Sequence, residues 1–129
     1  MLTFMLAIII NSIIRSKNPT LEQFEDLIGE IESRNLFPGV PRRFIGQREK
    51  VGRFTIERTK SIISGSTIYD IYEHEHTPQE EYDLSNTRRG YEVQVSKGKV
   101  TKIYQKNNPV FFNGDLELLT TQKRYYPQQ

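Results

Sequence analysis

The sequence has no cysteine, no tryptophan and two histidines. Without cysteine there is no disulfide, no thiolate nucleophile and no Cys-ligated zinc. Two histidines leave little imidazole for acid–base or metal chemistry. No glycine-rich phosphate loop is present, because Gly46 and Gly52 lack the required spacing and no helix pattern follows them. No serine lies in a Gly-x-Ser-x-Gly setting. The apolar run Met1–Ile14 would reach only about 21 Å as a helix, short of a hydrocarbon core of roughly 30 Å.

What the chain does contain suits one globular domain. Its 129 residues are 36% hydrophobic and 26% charged, with seven Phe and seven Tyr to supply bulk. The net charge of +2 conceals segregation. Residues 42–60 carry seven basic and two acidic side chains, whereas residues 61–90 carry two and six. Such blocks either neutralise one another across the folded surface or present a basic patch to an anionic partner.

Met1–Ile14 is apolar at 11 of 14 positions. It reads as an export signal or anchor with Arg15 and Lys17 behind it, or as a first buried helix or strand. Exported or membrane-associated and cytoplasmic locations stand equal on this reading. The division is therefore residues 1–17 as an apolar segment and 18–129 as a single small domain.

Thr20 and Gln23 form a capping box, and Leu21, Phe24, Leu27, Ile28 and Ile31 recur at helical spacing. This predicts an amphipathic helix from Leu21 to about Arg34, with Asn35, Pro38, Gly39 and Pro41 ending it. Leu36 to Gly52 reads as a basic loop. From Gly52 the period becomes two: Phe54 and Ile56 alternate with Thr55 and Glu57, Ile62–Ile63 continues or restarts the strand, and Ser64-Gly65-Ser66 turns it. Thr67–His76 returns. After a polar connection, Tyr91–Val95 and Val100–Gln105 flank a Lys97-Gly98 turn, and Val110–Phe112 and Leu116–Leu119 flank Asn113-Gly114. The tail from Thr121 is expected to fray. The fold expected is α+β: one amphipathic helix on an antiparallel sheet of about six strands built from hairpins, with a partly closed barrel as the alternative.

Two candidate sites follow. The first is the basic stretch Arg42, Arg43, Arg48, Lys50 and Arg53, interleaved with Phe44, which suits a protein or other anionic macromolecule, nucleic acid among them. The membrane is a further partner through Met1–Ile14. The second is His74 and His76, two apart on one strand and so projecting to the same side, with Glu80 following. These three could hold a divalent metal. The His-x-His followed by a Glu partly resembles the first metal-binding motif of the cupins, over about residues 74–98, and implies a double-sheet barrel with His74, His76 and Glu80 as ligands. The chain departs from that pattern in its longer Glu80-to-Gly90 interval and in having no third histidine. A small ribonuclease-like site built from His74, Arg88, Arg89 and the basic loop is an analogy of the same rank. The reading preferred from sequence is a non-enzymatic binding domain that uses the basic loop. The alternative is metal-binding or hydrolytic chemistry at the histidines.

Overall fold

The computed structural model describes residues 2–16, 19–73, 87–109 and 121–125, with side chains described over 5–16, 19–73 and 90–104. Among these residues two helices lie against one face of an antiparallel sheet.

The apolar start is helix α1 (Leu2–Arg15). Leu6, Ile10, Ile13 and Ile14 fall at helical spacing and are buried, so this run is a core element. Met5 and Ile8 point away from that stripe and are half exposed. Among the described residues no helix is long and apolar enough to cross a membrane.

Helix α2 (Leu21–Ser33) starts as its sequence dictates. Gln23 N donates to Thr20 Oγ1 at 3.2 Å, and Thr20 N donates to Gln23 Oε1 at 2.8 Å, satisfying two otherwise orphaned donors. Phe24, Leu27, Ile28 and Ile31 are buried. At the other end Asn35 adopts φ 51°, its N donates to Glu32 O and Leu36 N donates to Ile31 O. This left-handed cap ends the helix before Pro38 is reached.

Among the described residues six strands run in sequence order as a meander: β1 (Gln47–Val51), β2 (Phe54–Lys60), β3 (Thr67–Glu73), β4 (Thr87–Ser96), β5 (Lys99–Pro109) and β6 (Thr121–Tyr125). Every neighbouring pair is antiparallel. The sheet does not close, since β1 and β6 are the two ends of the strand order. The α+β class and the antiparallel sheet are as expected. The expected partition into strands is not.

Three differences have physical causes. Residues 47–51, expected as loop, form β1; only Val51 of this strand is buried, so no alternation marked it. Strand β2 ends at Lys60, and Ile62 and Ile63 fall in the turn, 58% and 98% exposed. Thr121–Tyr125, expected as frayed tail, lies along β5 from Asn107 to Ile103. The Asn113-Gly114 hairpin and residues 74–76 of the expected strand Thr67–His76 lie outside the described residues.

Register settles which face is which. Phe54, Ile56 and Arg58 on β2 stand opposite Glu73, Ile71 and Tyr69 on β3, and Tyr69 and Ile71 stand opposite Val93 and Tyr91 on β4. Directly opposed residues share a face, so this row looks at the helices. Phe24 of α2 meets Tyr91 edge-on, with ring centroids 5.0 Å apart at 69°. Lys97 (φ 52°) and Gly98 (φ 77°) make the two-residue turn that the sequence announced, with both residues left-handed as a type I′ turn demands. At Gly90 the strands approach too closely for any side chain: a Cβ would lie 2.7 Å from Ile71 O and 2.9 Å from Tyr72 Cβ.

Candidate functional site

The five basic residues singled out from sequence do not form one patch. Arg48 and Lys50 alternate with Val51 along β1 and share the face turned away from the helices. Arg48 is engaged by Glu57, its cross-strand neighbour, and that carboxylate raises the guanidinium's pKa by hydrogen bonding and charge. Arg53 sits in the β1–β2 turn and pairs with Glu73 at 2.7 Å. The same carboxylate receives Arg15 from the end of α1 at 2.9 Å, so one acid ties α1, the turn and β3 together. Arg42 and Arg43 lie at the opposite end of β1 from Arg53, separated by five strand residues or roughly 17 Å.

At that end a different cluster assembles. Three chain segments converge along one edge of the sheet. The segment 40–46 is joined to the end of β2 by Lys60 N donating to Arg42 O at 3.0 Å. The β2–β3 turn is closed by Ser61 N donating to Ser66 O at 2.8 Å. The β4–β5 turn lies alongside because Thr67 pairs with both Lys60 and Val95. These segments carry five cations: Arg42, Arg43, Lys60, Lys97 and Lys99. No Asp or Glu occurs within residues 38–46, 59–67 or 95–100.

The same end also exposes large apolar side chains. Val40 is 75% exposed, Phe44 82%, Ile45 59% and Ile63 98%. Phe44 is held outward at φ 69°, a region that bulky residues rarely enter and that costs about 1–3 kcal/mol. Sequence reasoning found Arg42, Arg43 and Phe44, but missed Lys60, Lys97, Lys99 and the isoleucines. The available signal was Ile62-Ile63 placed directly before Ser64-Gly65-Ser66: two successive apolar residues in a turn cannot both face a core.

Beneath this end lies a polar anchor. Arg58 is only 9% exposed. Its Nε donates to Gln47 Oε1 at 2.8 Å, and its Nη2 donates to the carbonyls of Gly39 at 3.1 Å and Pro38 at 3.3 Å. Its Cζ stands 5.1 Å from the centroid of the Phe37 ring. Gln47 Nε2 also donates to Pro38 O at 2.6 Å. Arg58 and Gln47 thus fix the start of segment 38–46 to the sheet. Beside them, in a hollow of about 170 Å³ bordered by Glu32, Asn35 and Gly39, Tyr69 donates its hydroxyl to Glu32 Oε2 at 3.3 Å.

Burial and then the neighbouring Glu32 carboxylate push the Tyr69 phenol up to about 12, partly opposed by Arg58. An unfolded tyrosine ionises near 10. The raised value therefore favours the folded state fully below about pH 10, and this contribution drains away as pH rises to about 12. It amounts to no more than about 3 kcal/mol. In alkaline titration monitored by tyrosinate absorbance, Tyr69→Phe is expected to delete one late-ionising group and to flatten the loss of stability between pH 10 and 12. An unchanged alkaline limb in this variant would contradict the assignment.

His74, His76 and Glu80, and with them the cupin-like metal arrangement, lie outside the described residues, as do the side chains of Arg88 and Arg89. Among the described residues no group of three or more His, Asp or Glu side chains is placed to hold a metal ion. The chain matches no protein-family model, no curated protein and no solved structure.

Proposed function

We propose that the protein is a small binding domain, acting by contact rather than by catalysis, and that the turn end of the sheet is its contact surface for an anionic macromolecule. The observation that carries this reading is the pairing of charge with exposure: five cations, no acidic residue within the three segments themselves, the adjacent Glu57 being paired with Arg48, and apolar tips such as Phe44 and Ile63 left in solvent. Leaving such side chains in water forgoes about 1.5–3 kcal/mol each that burial would return, and a partner surface would recover it. The clamp on Pro38 and Gly39 supports the same reading, because it presents the segment in one conformation before any partner arrives.

The surface shares only Arg42 and Arg43 with the stretch singled out from sequence. Arg48 and Arg53 are each engaged by a carboxylate, and Arg42 and Arg43 belong with Lys60, Lys97 and Lys99. Retention on immobilised heparin, a polyanion, tests this. The triple variant Arg42→Ala/Arg43→Ala/Lys60→Ala is expected to elute at clearly lower salt than the unmodified protein, whereas Arg48→Ala/Arg53→Ala is expected to elute close to it. Equal losses in the two variants, or no retention at all, would refute the assignment.

A further inference from the structure

We infer that the partner of this surface is the face of an anionic lipid bilayer; the inference rests on reading the turn end of the sheet as the contact surface. Three features select lipid over the other anionic partners. First, the exposed apolar tips are mainly aliphatic: Val40, Ile45, Ile62 and Ile63, with Phe44 as the one ring among them. Nucleic-acid surfaces hold bases by stacking on aromatic rings, which branched aliphatic side chains cannot offer. Second, the basic residues around them include Lys60, Lys97 and Lys99, and lysine is depleted in protein–protein interfaces but favoured beside acidic headgroups. Third, the tips belong to two neighbouring segments, residues 40–45 and the β2–β3 turn, which are joined by Lys60 N donating to Arg42 O, with the basic β4–β5 turn next in register. That arrangement lets several aliphatic side chains enter the headgroup boundary at once while the lysines and arginines remain at headgroup level.

Helix α1 has no part in this mode. Its buried stripe faces the core, and its 14 residues do not span a bilayer. Contact through this surface is peripheral and reversible, and it weakens as salt screens the headgroup charge.

Vesicle flotation with the full chain tests the inference. The unmodified protein is expected to float with vesicles of phosphatidylcholine mixed with phosphatidylserine, and to stay behind with phosphatidylcholine alone. The variant Phe44→Ser/Ile63→Ser changes only solvent-exposed side chains, and its far-ultraviolet circular dichroism and melting are expected to match the parent. It is expected to lose vesicle affinity by about tenfold or more while keeping its heparin elution position. Equal flotation of parent and variant, or equal flotation on both vesicle types, would overturn the inference. So would binding to a single-stranded oligonucleotide with none to vesicles, an outcome that leaves the binding-domain reading standing. Loss of heparin retention in the unmodified protein is the separate result that removes that reading.

Discussion

Replacing Phe24 with Ala is expected to destabilise the protein by roughly 3–5 kcal/mol. Phe24 has no solvent exposure and stands where α2 meets the middle of the sheet, with its ring edge against Tyr91. The substitution removes the ring's burial, leaves a cavity that two helices and a sheet cannot close together, and deletes the aromatic contact. Small domains have only about 5–15 kcal/mol in total, so much of the stability goes with this one side chain. Urea denaturation gives the measurement. A midpoint change equivalent to less than about 1 kcal/mol would mean that α2 does not pack on the sheet as described. Phe24→Leu refills most of the volume and is expected to recover more than half of the loss.

The second large effect is at Arg58. Arg58→Ala is expected to cost about 2–4 kcal/mol, although the residue is charged and lies on a strand. Its guanidinium serves two main-chain carbonyls and Gln47 at once while lying over Phe37. Deleting it leaves those acceptors facing a void. Lysine is not an adequate substitute, because one ammonium cannot reproduce the planar fork that reaches both Gln47 and segment 38–39. Arg58→Lys is therefore expected to recover only a minor part. Hydrogen exchange separates this from a general loss of stability: amide protection in residues 36–46 is expected to fall first in both variants. Uniform loosening across β2–β5 would argue instead for simple core damage.

How much of this was legible in the sequence depends on where each segment's stabilisation arises. Helix α2 could be read to within a residue because its signals are local: Thr20 and Gln23 cap one end, Asn35 the other, and the apolar spacing lies between. The turn of the β4–β5 hairpin was equally plain, since alternation and Lys97-Gly98 sit side by side, but its strands run on to Thr87 and Pro109, beyond the Tyr91–Val95 and Val100–Gln105 that the alternation marked. Strand β1 was not, because it exists through pairing with β2, and four of its five residues are not buried. Ile62 and Ile63 misled for the opposite reason: their β propensity is high, yet the turn at Ser64–Ser66 claims them. Arg58 passed unnoticed as one more basic residue, since its role depends on Phe37 and Gly39 folding back over the sheet. The contact surface suffered in the same way. Charge along the chain grouped Arg42 with Arg53, whereas a backbone hydrogen bond groups Arg42 with Lys60, and register groups Lys60 with the β4–β5 turn.

The meander has a consequence for how the chain is made. Each strand pairs with the one synthesised just before it, so the sheet can lengthen strand by strand without a distant segment being threaded into the middle. The helices come first. The side chains of α1 and α2 that end up against the sheet are made before β2 and β3, and Phe24 waits longer still, for Tyr91 on β4. Until then the nascent domain exposes a sticky pair of helices, so its greatest exposure to aggregation and chaperone capture falls between the synthesis of α2 and the arrival of β5, whose Ile103 belongs to the same core.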